Sequence, residues 1–366
     1  MNIMYVVSSL EKCGPINVLY NIAKEVNKRH KCLIVTLSPE NNKSMSKEFS
    51  DLDIEIVHLN LDRNEKKQNY INKLKKLIQK YQPDIIHTHG YRSDRYINMI
   101  NGEYLFKHVT TLHNFPFSDY PNLYGFISGT LLAFMHMYTI NRIDYKIACS
   151  YSIANKYKRY YISGISIIQN GVDVNIYKAI SNYEKYELRE KLGLPLDKKI
   201  VISTGAIIKR KRPKKLLEVF SKYGSEDEVL FLILGDGKLF GEMSKYSRPN
   251  IKLLGSVKNV VDYLQASDVF ISNSKAEGLP MAMLEAASTG LMIVGSDILP
   301  HREVKEIYNK RTILYQGQST QVITKCISKS ICKSNNWIEG NEEPFKLSSY
   351  NMANKYLDYY KSMKVT

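Results

Sequence analysis

The 366-residue sequence predicts an α/β protein built of two doubly wound halves, each on a parallel sheet. Three observations carry this. Ile3–Val7 is an uninterrupted apolar run, the pattern of a strand buried on both faces. The same succession, a strand into a glycine turn and then an amphipathic helix, opens at Ile3 and again at Ile200. The length is comfortable for two domains and long for one. The expected division is a first domain over 1–174, a linker over 175–199, a second domain over 200–345 and a closing helix over 346–366.

Composition narrows the classes. Hydrophobic residues are 44% of the chain, enough for real cores and too few for a polytopic membrane protein. The net charge of +16 implies an acidic partner: nucleic acid, anionic lipid or a phosphorylated small molecule. The five cysteines are odd in number and lack C-x-x-C spacing, which suits reduced thiols rather than disulfides or zinc. No secretory signal is visible at the N-terminus.

In the first half, a helix is expected over about Asn17–Lys28 and strands at Leu33–Leu37 and Ile54–Leu59. The loop Ser8–Pro15 carries no G-x-G-x-x-G, so the dinucleotide fingerprint is absent. Arg63 to Lys80 reads as a basic helix: a solvated face, or a surface for anionic headgroups. His87 and His89 alternate onto one face of a strand. Two metal ligands are conceivable there, but no third is spaced to join them. His113 ends the strand from Val109, where open α/β sheets bind ligands. Leu123–Ile140 is the most apolar stretch, yet Gly125, Ser128, Gly129 and His136 break it. It fits a helix packed on the domain or dipping into a membrane surface better than a span. A strand follows at Lys146–Ser150, and further on Asn170-Gly171 makes a tight turn that tolerates a positive φ.

In the second half, Lys209-Arg-Lys-Arg-Pro-Lys-Lys215 follows a strand and opens a helix. Strands are expected at Val229–Leu234, Val269–Ile271 and Met292–Asp297, with a strand and its turn over Ile251–Val257. Pro280 and Gly290 bracket a helix that is apolar nearly all round and therefore buried. Glu285 is its misfit, a carboxylate that needs a partner. Glu277 stands eight residues earlier, in the loop whose amides (Leu279, Met281, Ala282) could meet an anion. A diphosphate on those amides with a polyol against the two carboxylates uses every unusual feature. A buried Glu paired with a core cation is the plainer alternative.

Glu277-Gly-Leu-Pro-Met-Ala-Met-Leu-Glu285 resembles the Glu-x7-Glu motif of the family-4 retaining glycosyltransferases, which have the GT-B fold: two Rossmann-like domains facing across a cleft, with a C-terminal helix returning to the first. The likeness spans nearly the whole chain in motif order and is weakest at 36–80 and 310–340. It implies that Glu277 contacts the donor sugar and Glu285 the nucleotide ribose, with Gly205, Gly278, Leu279 and Pro280 lining the donor. His113 matches a Thr-x-His segment near the donor sugar and the reacting carbon. Lys211 aligns with the lysine that pairs with the donor diphosphate. The usual arginine is replaced by Ala206, so Arg210 or Lys209 would supply that charge. A Gly-Gly loop near the phosphate is here Cys13-Gly14, of which Gly14 carries over. His113, Lys211 and Glu277 are thus the expected catalytic residues.

The chemistry follows from charge. When the anomeric C–O bond breaks, negative charge appears on the diphosphate, and fixed cations and amides stabilise it. No Asp-x-Asp motif stands in the sequence, so no metal or other cofactor is expected. The resemblance implies a nucleotide-sugar donor, UDP in the first instance, and retention of configuration. A lipid-linked or glycan acceptor, a surface-polysaccharide pathway (capsule, O-antigen or teichoic type) and a cytoplasmic site at an anionic membrane face are the expected context. The rival readings are a catalytically inactive partner subunit, to which Cys13 and Ala206 point, and a basic nucleic-acid-binding protein. No zinc-finger, RRM or KH pattern accompanies the latter, so no nucleic acid is expected as partner.

Overall fold

The computed structural model describes residues 1–62, 64–224, 228–334 and 347–363. Arg63 of the expected basic helix and residues 346 and 364–366 of the expected closing helix lie outside them. The chain forms two compact units, one of residues 1–171 with the segment from Leu347 and one of residues 172–346. No helix among the described residues is long and apolar enough to cross a membrane.

The first unit is built on a seven-stranded sheet: β1 (Asn2–Val7), β2 (Lys31–Thr36), β3 (Glu55–His58), β4 (Ile85–His89), β5 (Lys107–Leu112), β6 (Tyr145–Ala148) and β7 (Ile165–Ile167). The strands run parallel in the order β3-β2-β1-β4-β5-β6-β7. The order reverses between β1 and β4, where Val7 pairs with His89. β1 and β4 are buried almost throughout, as strands covered by helices on both faces must be.

Several elements depart from the sequence reading. The first helix spans Gly14–Val26, begun by Pro15 near its N-terminus. The basic helix is Lys67–Tyr81, which buries Tyr70, Ile71, Leu74 and Ile78. The apolar stretch is two helices, Pro116–Tyr124 and Phe126–Asn141, parted at Gly125 with φ +88°. Gly171 does not take a positive φ. It is required because a Cβ there would lie 2.2 Å from the Ser348 carbonyl oxygen. That contact belongs to the closing helix, Ser349–Ser362, which packs against the Gly14–Val26 helix within the first unit. Its Tyr360 hydroxyl meets His87 Nδ1 at 2.6 Å, and Tyr356 meets Thr111 Oγ1 at 3.1 Å.

The second unit carries a six-stranded parallel sheet: β8 (Lys199–Thr204), β9 (Val229–Leu234), β10 (Ile251–Gly255), β11 (Val269–Ser272), β12 (Met292–Ser296) and β13 (Thr312–Tyr315), in the order β10-β9-β8-β11-β12-β13. Here the order reverses between β8 and β11. Residues read as a linker belong to this body. The Asn182–Lys191 helix starts in a capping box of Ser181 and Glu184. Buried Asp268 ties that helix down, accepting from Lys185 Nζ at 2.6 Å and Arg189 Nη2 at 2.7 Å.

Candidate active site

Ligands of open α/β sheets bind beyond the carboxyl ends of the strands where strand order reverses. In the second unit those ends are Thr204 and Ser272. A small pocket lies there, lined by Gly205, Ala206, Lys211, Ser274, Pro280 and Ala282 among others. Gly205, in its wall, faces a second glycine turn at Gly235. Gly205 has φ +126° and Gly235 φ +134°, and a Cβ on Gly235 would come within 1.9 Å of the Gly205 carbonyl oxygen. Only bare backbone lets these loops touch.

Glu277 is the electrostatic centre. It is buried, and its carboxylate accepts from Ser274 Oγ at 2.6 Å. Lys211 Nζ lies 2.5 Å from Oε1, and Arg210 Nη1 lies 2.8 Å from Oε2. Burial alone would raise this carboxyl; the adjacent Lys211 and Arg210 outweigh it and hold the group at about 2. Arg210 also donates to the Ala276 carbonyl at 2.5 Å, while Lys209 is exposed. Of the two candidates for the charge missing at Ala206, Arg210 is thus the one beside Glu277.

Gly278, Leu279 and Pro280 are buried and lead into the Met281–Ser288 helix. In any helix the first-turn amides, here those of Met281 and Ala282, have no intrahelical acceptor. Glu285 is buried on the same helix. The Tyr177 hydroxyl is pushed up first by its own burial and then by the charge of Glu285. Sequence reasoning missed His301. It is buried at the ends of β11 and β12, with Nδ1 2.7 Å from the Ser296 carbonyl oxygen, and burial holds it at about 4. Its signal was Pro300-His301 opening a helix just past a strand end.

The first unit has its own cavity at its reversal point, of about 370 Å³, lined by Val7, Ser8, Cys13, His89, Gly90 and His113 among others. Gly14 is not among the lining residues; Cys13 and Pro15 on either side of it are. His113 Nε2 lies 2.8 Å from His89 Nδ1, and the rings stack with centroids 5.1 Å apart. His89 stacks in turn on His87 at 4.4 Å. Burial keeps all three neutral: His113 falls to about 4, and His87 and His89 fall well below the usual imidazole range.

Asp94, which sequence reasoning passed over, organises the cavity wall. It is buried and accepts from Thr88 Oγ1 at 2.5 Å and Thr110 Oγ1 at 2.8 Å, with His136 Nε2 at 2.8 Å. Tyr120 OH meets the other ring nitrogen of His136 at 2.7 Å. Nothing local in the sequence links Asp94 to a histidine 42 residues away. No group of three or more metal-ligating side chains is assembled among the described residues.

Comparisons with known proteins agree with this architecture. The model for Glycosyl transferases group 1 matches residues 184–340, and that for Glycosyltransferase Family 4 matches residues 14–176. The O-antigen biosynthesis glycosyltransferase WclY of Escherichia coli is 26% identical over 310 residues, covering 81% of this chain and 80% of its own. The UDP-Gal:alpha-D-GlcNAc-diphosphoundecaprenol alpha-1,3-galactosyltransferase of Escherichia coli is 36% identical over 146 residues, 37% of each chain. Among solved structures, Anabaena Alr3699/HepE in complex with UDP superposes with a TM-score of 0.79 at 16% identity, covering 99% of this chain and 100% of that one.

Proposed function

Because this chain belongs to the group 1 glycosyltransferases and has the GT-B fold, we propose that it moves a sugar from a UDP-sugar to a lipid-linked or glycan acceptor, with retention of configuration, in the assembly of a surface polysaccharide. The observation that carries the donor half is the pairing of Lys211 and Arg210 on buried Glu277, at the reversal point of the second sheet. Lys211 and Ala282 line the pocket beside Gly205, and Arg210 and Met281 adjoin them in the chain. A diphosphate there gains charge as the sugar departs, and donors already in place stabilise that charge without reorganising.

Within this reading Glu277 orients donor hydroxyls while keeping the two cations in place, and Glu285 meets the ribose. His113, neutral at physiological pH, contacts the donor sugar and transition state; it is not a general base. The cations do the work a metal would do, so turnover continues in EDTA. The names of the WclY and diphosphoundecaprenol relatives support the O-antigen setting and a lipid-linked acceptor, and the UDP-bound neighbour supports the nucleotide. The setting we propose is the cytoplasmic face of an anionic membrane.

The test is a thermal-shift screen against UDP-, GDP-, ADP- and dTDP-sugars, with Glu285→Ala alongside. A ligand that binds only the folded state raises its stability. The expected result is a shift with UDP-sugars that Glu285→Ala abolishes. No shift with any of the four would overturn the donor assignment.

A further inference from the structure

The Pro116–Tyr124 and Phe126–Asn141 helices form a hairpin in the first unit. The second helix is apolar on two faces. One face is spent on packing: a Cβ on Gly129 would lie 2.4 Å from the Tyr120 carbonyl oxygen, and Ala133, His136, Met137 and Ile140 are buried. The other face carries Ile127, Leu131, Phe134 and Tyr138, spaced four, three and four residues apart, as one stripe. They are 83%, 63%, 60% and 62% exposed. The stripe continues sideways. Phe134 meets Phe117 edge-on at 4.8 Å, and Phe117 stacks on half-exposed Tyr160 at 5.3 Å, next to Tyr161. More than half of the large apolar side chains left exposed among the described residues fall between Leu123 and Tyr161. Scattered exposed apolar residues are ordinary; a contiguous patch is not.

The border of the patch is cationic. Arg142 lies over the Tyr138 ring at 4.6 Å, and Lys158 and Arg159 are exposed just before Tyr160. From Tyr120 to Tyr161 the only acid in the sequence is Asp144. An isologous dimer through this face would gather the same cations from both copies with only Asp144 of each segment to meet them. A helix face of aliphatic and aromatic side chains edged by Arg and Lys suits the boundary of an anionic bilayer, where rings sit at headgroup depth and cations meet phosphate.

We propose that the Ile127–Leu131–Phe134–Tyr138 face, edged by Arg142, Lys158 and Arg159, docks this protein on an anionic phospholipid bilayer. The proposal rests on the reading of a membrane-associated acceptor and names the surface that reaches it. It moves the contact away from the Lys67–Tyr81 helix, whose apolar residues are spent on the core and whose Lys75 is paired with Glu103 at 2.5 Å.

The experiment is flotation of the purified chain with phosphatidylcholine vesicles, with and without about one-third phosphatidylglycerol. Three variants accompany the unaltered protein: Leu131→Ser/Phe134→Ser, Arg142→Glu/Arg159→Glu and Lys76→Glu/Lys80→Glu. The unaltered protein should float at least about ten-fold more with the anionic vesicles. The first two variants should lose at least about ten-fold of that binding with an unchanged melting temperature, and the third should keep most of it. Binding unaffected by the first pair, or lost only in the third, overturns the proposal. So does a dimer in solution that the first pair dissociates. The UDP-sugar thermal shift is read on the same samples. A retained shift without flotation defeats the docking surface alone, whereas an absent shift with intact flotation defeats the donor assignment alone.

Discussion

The two units place polar groups at the same topological position and build them from opposite materials. At the reversal point of the second sheet stand fixed ions: Lys211 and Arg210 around a carboxylate held at about 2. At the reversal point of the first stand imidazoles kept neutral by burial, His87, His89 and His113, beside the Asp94–His136 pair. Ions in place suit a ligand that arrives charged and becomes more so. Neutral imidazoles beside a hydrogen-bonded carboxylate suit hydroxyls. The contrast separates the units by chemistry although their folds are alike.

The sharpest way to break the contrast is to remove one member from each side. Lys211→Met should lower kcat by about 10²–10³-fold, the loss typical of a donor that stabilises developing charge. His113→Ala removes a hydrogen bond between neutral groups and should cost only about 10- to 100-fold. Steady-state kinetics on the two variants decides it. An equal loss, or unchanged turnover in His113→Ala, would end the distinction or the role of His113.

Gly235→Ala tests whether the ionic site depends on its glycine wall. The new methyl would press on the Gly205 carbonyl at a φ that side chains avoid. Unfolding should become easier by about 3 kcal/mol, with loss of the UDP-sugar shift. Hydrogen exchange should find the damage within residues 199–296 and leave the first unit protected.

Acid offers the mildest test. A histidine with a depressed folded pKa lets the unfolded chain bind more protons, so stability is fully present above about pH 6.5 and drains as pH falls toward the folded value. In the first unit burial depresses His87 and His89, and takes His108 and His113 down to about 4. The second unit has only His301 in this window. The pairing of Glu277 adds stability that persists above the ordinary carboxylate range and is lost only as pH falls toward about 2. Between pH 6.5 and 4 the first unit should therefore lose exchange protection before the second. Simultaneous loss, or loss in the second unit first, would show that the histidines are not what acid acts upon.

How much of this the sequence discloses depends on the range of the interaction. Strands buried on both faces and the Pro280-to-Gly290 helix are legible because their signals are local. Glu277 is legible because its spacing to Glu285 is. The choice between Arg210 and Lys209 is not, since it turns on the 3-10 turn at Lys209–Lys211 that aims one of two adjacent cations at Glu277. The division of the 123–140 stretch is legible only in hindsight, because Gly125 reads equally as a weak helix residue or a break. For Gly171 the local pattern shows a turn and hides what requires the glycine. Its neighbour in space is Ser348, and no local pattern announces a contact across 177 residues. Asp94 and His136 were missed for the same cause.

The closing helix bears on how the protein is made. Buried Tyr356 and Tyr360 complete the interior of the first unit, yet they leave a ribosome after the whole second unit. The second unit is one continuous segment and has all its strands by residue 315. Synthesis and completion therefore run in opposite order: the half translated first must wait, its His87 and Thr111 lacking their tyrosine partners, until the half translated second already has what it needs to fold. A released chain ending near residue 345 would carry the strands and core helix of the second unit and an unfinished first one, the kind of intermediate that chaperones hold.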